Sequence, residues 1–424
     1  MRERAVCGSA GRRIARVLAL AVLTSLSQPA QAQDLGMGDL GGVPRPEFIG
    51  QGYQMGSFLI LPALTVENTY NDNIFAVAED DPNENEKGAY VASIIPALGI
   101  ESLWSRHFVS LGVFGKINRY GSLSSENNEE YRVEGAGRLD LTGGSSVVTD
   151  IALGRRTIGR ANTENTGRDD PEQLDFVNFD FSYRHEFSRF RLDLDPFVKR
   201  RDYVEAADSD RDRTQYGGTP RIWYRFSPAF SIFVEPGVEV LDYDHLRNDV
   251  DRDSLMVQGF VGAEFDITSI INGEISVGPV YMDFDDPSFD NYTTVGARGA
   301  VTWDVTPLTR VNAEVVRRAA PTTLAGPLTN PAGASSKIQT MALVRVRHEL
   351  VPDLFLTVDG AYFRENFKGL VREDDNYRVR ASVDYLINRF VSIGVGYKFR
   401  LRDSNVPKED FTRNIVTLAI ELRL

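Results

Sequence analysis

Apolar and polar residues alternate with period 2 through most of the chain from Phe58 to Leu424. In one run Val177, Phe179, Phe181 and Tyr183 alternate with Asn178, Asp180, Ser182 and Arg184. In the next, Phe190, Leu192, Leu194 and Val198 alternate with Arg191, Asp193, Asp195 and Lys199. Near the C-terminus Val391, Ile393, Val395, Tyr397 and Phe399 alternate with Ser392, Gly394, Gly396 and Lys398. Successive side chains of a strand point to opposite faces, so each run predicts a strand with one apolar and one polar face. The runs are about 10–14 residues long, enough for a tilted strand to cross a bilayer.

A soluble sandwich alternates in the same way, so the connections have to decide. One set is short: Gly143-Gly144, Ser227-Pro228, Ile267 to Ser269, Asp304 to Pro307, and Leu386 to Asn388. The other is long and polar: Asn71 to Gly88, Ile158 to Gln173, Glu205 to Gln215, Asp244 to Asp253, and Arg318 to Lys337. The two sets interleave. Short turns at one end and long loops at the other mark an outer-membrane barrel. The fold expected is all-β, a transmembrane antiparallel β-barrel of about 18 strands. Pro96, Pro196, Pro236 and Pro279 fall inside predicted strands and are expected at bulges or strand ends.

The first 32 residues are read as a signal peptide. Arg2, Arg4, Arg12, Arg13 and Arg16 form a basic lead, Val17 to Leu26 is apolar, and Ala30-Gln31-Ala32 is a small-x-small cleavage site. Residues 33–56 read as a flexible periplasmic lead-in, rich in Gly with Pro44 and Pro46, and 57–424 as the barrel. Cleavage after Ala32 removes Cys7, the single cysteine, so disulfides and thiolate sites are not expected in the mature chain.

Composition adds three points. No run after residue 32 approaches about 18 apolar residues, which excludes a spanning helix. Aromatic residues at 10% suit strands. A net charge of −13 excludes a nucleic-acid binder.

Catalytic and metal motifs are weak. His107, His185 and His348 fall at predicted short turns and His245 in a long loop, with no nucleophile and orienting carboxylate beside them. No enzyme activity, cofactor or metal is expected. Asp208-Ser209-Asp210-Arg211-Asp212 and Asp249-Val250-Asp251-Arg252-Asp253 both begin like calcium loops. They lack the later glycine and glutamate, and read as solvated acidic loops or, more weakly, as sites where Ca²⁺ or Mg²⁺ bridges to lipopolysaccharide phosphates.

The polar faces carry the informative residues. Arg191, Asp193, Arg221, Arg225, Glu235, Arg298, Arg345, Arg378 and Arg380 fall on them, with Trp223 and Phe233. A charge facing lipid costs about 2–4 kcal/mol at the midplane, so these residues are expected to line a wet lumen. They read as salt bridges across strands or as a lining that sets selectivity. Phe197, Trp223 and Phe233 read as lumen-filling aromatics or as a track on which sugar rings stack.

Several short segments resemble a known family. Tyr70-Asn71-Asp72-Asn73-Ile74-Phe75, Ile95-Pro96-Ala97-Leu98-Gly99, Arg119-Tyr120 and Gly396-Tyr397-Lys398-Phe399 are similar to motifs of outer-membrane β-barrel porins associated with exopolysaccharide gene clusters. The likeness runs over nearly all of Phe58 to Leu424. One departure is Leu424, where such barrels usually end in an aromatic residue. The resemblance implies a cell outer-membrane channel that exports an extracellular polysaccharide, and carries over no catalytic residues. A general or small-solute diffusion porin and a non-transport envelope barrel or adhesin stay open. A long loop folded into the lumen would favour the diffusion porin, with Ile158 to Gln173 and Arg318 to Lys337 as candidates. The partners expected are outer-membrane lipid and lipopolysaccharide, the barrel assembly machinery and, through the resemblance, polysaccharide export proteins.

Overall fold

The computed structural model describes residues 52–79, 87–268, 270–326 and 332–424. The expected signal peptide and most of the lead-in lie outside them. The chain forms a closed antiparallel barrel of eighteen strands. They are β1 (Phe58–Asn71), β2 (Ala89–Ser102), β3 (Phe108–Tyr120), β4 (Asn128–Asp140), β5 (Ser145–Thr157) and β6 (Gln173–Phe187). Next come β7 (Phe190–Leu194 continued by Pro196–Tyr203), β8 (Arg213–Gly218 continued by Arg221–Ser227), β9 (Phe230–Tyr243), β10 (Ser254–Thr268), β11 (Ile271–Phe284) and β12 (Tyr292–Thr306). The ring is completed by β13 (Thr309–Pro321), β14 (Ser336–Val351), β15 (Leu354–Lys368), β16 (Arg372–Asn388), β17 (Val391–Ser404) and β18 (Phe411–Arg423). A short strand, Tyr53–Met55, folds back on β1.

Closure is direct. β1 pairs with β18 from Ala63↔Arg423 to Asn71↔Ile415. The alternation is explained by this ring. Val261, Ile275, Val277 and Val295 point outward and are among the most exposed apolar residues, as a lipid-facing band requires. Glu235, Asp193, Asp359 and Lys199 point inward and are buried.

One end of the barrel has tight turns. Gly143 and Gly144 take positive φ in one of them, and Ser188 and Asp353 do so in two others. Such turns match the twist of the flanking strands. The register shifts all sit beside these turns, at Arg225/Ser227, Asp266/Thr268, Asp304/Thr306, Glu349/Val351 and Leu386/Asn388. The last of these places Leu386 to Asn388 inside β16, so that turn falls at Arg389-Phe390 instead.

The prolines correct an expectation. Pro196 begins the second half of β7, as a strand end should. Pro96, Pro236 and Pro279 remain inside continuous strands with no register shift around them. Each instead faces a gap in the neighbouring ladder. Pairing between β2 and β3 skips from Ile94 to Ala97, and pairing between β10 and β11 skips from Val280 to Val277. Pro236 faces the break in β8 at Thr219-Pro220. A residue that cannot donate is accommodated by omitting the bond it would have made.

Candidate functional site

The long-loop end of the barrel is where the chain turns inward. The segment 158–172, between β5 and β6, reaches across the mouth. The Arg402 guanidinium on β17 donates to the Ala161 carbonyl at 2.5 Å. The Lys337 ammonium on β14 lies 3.2 Å from the Glu164 carboxylate and 2.9 Å from Glu365. β14 lies about halfway round the ring from β5 and β6, so a contact between them spans the opening.

Residues 322–326, after β13, meet it. The Thr322 and Thr323 hydroxyls donate to the two oxygens of Glu164, at 3.0 and 3.1 Å. Glu164 is 6% exposed. Burial pushes its carboxyl up, but Lys337, Arg213 and Arg211 with the Thr322 hydroxyl outweigh that and bring it down to about 2. It is therefore a charged pin.

Arg211, in a short 3₁₀ turn between β7 and β8, locks the arrangement from the side. It is fully buried. It pairs with Glu172, donates to the Glu164 carbonyl at 2.9 Å and to the Thr323 hydroxyl at 3.2 Å, and lies 4.0 Å over the Tyr203 ring. Arg247 adds a further tie, pairing with Asp210 and donating to the Thr323 carbonyl at 2.7 Å. Four loops are thus joined by charge-assisted bonds, the stronger kind.

Apolar clusters seat the loops on the wall beneath. Ile158 packs with Leu174 and Tyr203. Ala332 packs with Phe260, Val280, Met282, Phe284, Phe289 and Ala319. Of the two segments singled out in the sequence as loops able to enter the lumen, Ile158 to Gln173 enters the mouth, and so do the described residues 322–326 of the other.

The first acidic run is not a solvated loop, whereas Asp249 in the second is exposed. Asp208 is 3% exposed and pairs with Arg168, and Asp210 is held by Arg247 and Arg252. Asp251 and Asp253 cap their own turn, where the Asp253 amide donates to the Asp251 carboxylate at 3.0 Å. Arginines of other loops are the partners of the first run, because the loops fold together. Among the described residues one carboxylate trio, Asp202, Asp212 and Asp244, could share an ion. Arg200 already pairs with Asp202 and Asp244 there.

The family-like segment Tyr70-Asn71-Asp72-Asn73-Ile74-Phe75 has a structural task. Asn73 is fully buried, and its amide donates to the Val77 carbonyl at 2.8 Å and to the Thr412 carbonyl at 3.1 Å. The Asp72 carboxylate accepts from the Asn414 amide and side chain, at 2.7 and 2.6 Å. The segment ties the first strand to the last.

Below the loops lies the lumen wall. Arg191, Asp193, Arg221, Trp223, Arg225, Phe233, Glu235, Arg298, Arg345, Arg378 and Arg380 all occupy inward register positions. On one side they form a single network. Asp193 accepts from Arg184 at 2.8 Å and from the Trp223 indole at 3.0 Å, and lies 3.1 Å from Arg191. Glu235 is shared by Arg221 and by Arg298 at 2.8 Å. Arg225 lies 3.8 Å from Glu186. On the other side Asp359 takes Arg378 at 3.3 Å and Arg380 at 2.6 Å, with Arg345 opposite it in register.

The aromatic pair is closed to sugars. Trp223 and Phe233 are 4% and 3% exposed, with ring centroids 4.5 Å apart. Arg191 covers the Trp223 ring at 3.8 Å, and Arg221 covers Phe233 at 4.3 Å. Guanidinium groups occupy the faces that a sugar ring would need. For the same reason Asp193 is a tied member of the wall, so Asp193→Arg would set three cations against one another. The histidines have local partners: Ser145 meets His185 at 2.7 Å and Thr309 meets His348 at 2.8 Å.

Glu164, Arg211, Thr322, Thr323, Lys337 and Arg402 escaped sequence reading. Glu164 and its partner Lys337 are 173 residues apart, and no local pattern marks either.

The family described as "Putative beta-barrel porin 2" matches residues 45–424. A search of curated proteins finds no match. Solved porins of Pseudomonas align over most of the chain. OpdL of Pseudomonas aeruginosa shares 12% identity over 87% of this chain and 99% of its own, with a TM-score of 0.44. OccK9 (OpdG) of the same organism shares 12% over 87% and 98%, with a TM-score of 0.46. A BenF-like porin from Pseudomonas fluorescens Pf-5 shares 12% over 86% and 99%, with a TM-score of 0.45.

Proposed function

Because the chain belongs to this β-barrel porin family of the outer membrane, we propose that it is a diffusion channel for small hydrophilic solutes, narrowed from its long-loop end. The observation that carries this reading is the Glu164 pin, which holds segment 158–172 to Thr322, Thr323 and Lys337 across the mouth. Eighteen strands leave an aqueous channel. Loops joined over such a channel restrict it to solutes that pass between them. Export of an extracellular polysaccharide is the second reading. The wide charged lumen below the loops supports it, but a polymer requires the loops to part.

Planar-bilayer conductance tests the pin. Removing one partner of a buried ion pair costs about 3–5 kcal/mol, enough to free the loops. Glu164→Ala is expected to raise single-channel conductance and to speed liposome swelling by larger sugars. Unchanged conductance in a correctly folded Glu164→Ala barrel would remove the loops from the permeation path. A deletion strain separates the two readings. Slowed growth on limiting small solutes with normal secreted polysaccharide supports the diffusion channel, and the reverse result supports export.

A further inference from the structure

A barrel wall in lipid keeps its ladder bonds, because an unpaired backbone group there has no water to turn to. Among the described residues five ladders nevertheless omit pairs and then resume in the same register. One, between β2 and β3, stands apart from the rest. The other four share one arc of the wall and one height. Pairing of β6 with β7 stops at Tyr183↔Leu194 and resumes at Asp180↔Phe197. β7 and β8 skip from Asp193↔Arg221 to Pro196↔Gly218. β8 and β9 skip from Ile222↔Val234 to Gly218↔Val238. β10 and β11 skip from Val261↔Val277 to Gln258↔Val280. The β9–β10 ladder crosses this row intact, at Pro236↔Gly259. Within the row the Thr219 amide reaches the Asp195 carbonyl at 3.4 Å, longer than an ordinary ladder bond.

The residues of the row suit bending. Each strand from β7 to β11 places a glycine or proline in it: Pro196, Pro220, Pro236, Gly259 and Pro279. Pro196, Pro236 and Pro279 are exposed on the outer face, where a missing N–H leaves no donor stranded in hydrocarbon. The backbones also approach closely. A Cβ on Gly217 would run into the Val238 carbonyl oxygen, and one on Gly278 into that of Gly259. Such glycines mark tight bends in barrel walls. Wall stability calls for none of this, since each omitted pair weakens the sheet. What stands above the row is the set of braces at the mouth. Arg211 follows the upper end of β7, and Arg247 follows that of β9.

We propose that this row is a hinge line, about which the long-loop ends of β7, β8 and β9 tilt outward and widen the mouth. This deepens the channel reading, on which its role in permeation rests. Hinges are a few residues that absorb a change in backbone dihedrals while the bonded parts on either side move as bodies. Here the bonded part above the row carries Arg211 and Arg247. Its tilt draws Arg211 from Glu172 and the Glu164 carbonyl, and Arg247 from the Thr323 carbonyl. Those charge-assisted bonds hold the flap shut. The Lys337–Glu164 pair lies outside the flap and stays in place.

Distances between spin labels, measured by double electron–electron resonance on the full-length barrel in lipid nanodiscs, test this. Asp249→Cys/Lys408→Cys places one pair of labels across the long-loop end, and Pro228→Cys/Arg389→Cys places another across the short-turn end. All four positions are exposed. The upper pair is expected to show two distances and the lower pair one. Pro196→Val/Pro220→Val/Pro236→Val, added to the upper pair, returns three ladder donors and is expected to lower the longer-distance population about fivefold. A single narrow distance across the mouth overturns the hinge. So does equal breadth at both ends, which would mean that the whole barrel breathes. A folded valine variant with an undiminished longer distance overturns it too. The first two results leave the row unaltered, so they decide even if the valine variant does not fold. A single mouth distance in a conducting barrel removes the hinge alone. Two mouth distances in a barrel that conducts no ions keep the hinge and overturn the channel reading.

Discussion

At the scale of single residues, the mouth of this barrel depends on one charged carboxyl. Glu164 is held at about 2 against an ordinary 4.5, so its ionised form belongs to the joined loops. A carboxyl with a depressed native pKa supports the folded arrangement above its unfolded pKa. That support fades as pH falls toward the native value. Conductance is therefore expected to stay flat from neutral pH down to about 5 and to rise between about 4.5 and 2. Single-channel recording over this range checks it, and Glu164→Gln should conduct without that pH dependence. A transition centred near pH 6 in the wild type would point to another group. The pin itself was invisible in the sequence. Nothing in Thr163-Glu164-Asn165 differs from an ordinary polar loop, because its partners come from strands on the far wall.

At the scale of elements, each strand has a lipid side and a water side, and a one-residue slip would exchange them. Val261 and Gln258 test the assignment on β10. Val261 is 58% exposed on the outer face, whereas Gln258 points inward. Val261→Arg is expected to cost about 2–4 kcal/mol in the bilayer and to lower the yield of folded barrel. Gln258→Arg should assemble normally. Equal yields by gel migration and protease resistance would place β10 in the wrong register. This level was the most legible in the sequence, since period 2 is a local signal. Val177 and Asn178 reveal their faces without knowledge of any partner. The prolines were less legible. Pro236 looks like a strand breaker until the gap at Thr219-Pro220 on the neighbouring strand is seen. The first acidic run failed for a related reason: Asp208 and Asp210 look solvated until distant arginines are brought to them.

At the scale of the whole molecule, the barrel separates two environments along its axis. All tight turns with register shifts lie at one end, and the interlocked loops at the other. In outer-membrane barrels the short turns face the periplasm. Asp210 and Lys408 are therefore expected outside the cell, and Gly144 in the periplasm. Single cysteines at these positions, labelled on intact cells with an impermeant reagent, check it. Labelling at Gly144 with none at Lys408 would invert the orientation. Lys408 is the more informative outer position, because Asp210 is partly covered by Arg247.

The union of the first strand with the last also sets an order of events in folding. Asp72 and Asn414 are 342 residues apart. Hairpins between neighbouring strands can form as soon as their own turn is made, with little chain entropy lost. The pairing of β1 with β18 has to wait for every other strand. Its contacts are the least local in the molecule, and non-local pairing is slow. Until it forms, β1 and β18 each present an open edge able to pair with another chain. The buried Asn73 and the Asp72–Asn414 bonds act at that last step, like a clasp fastened after the ring is drawn round. Asn73→Ala should then leave the hairpins intact and delay only the final closure, visible as a longer-lived species that migrates as unfolded on a gel.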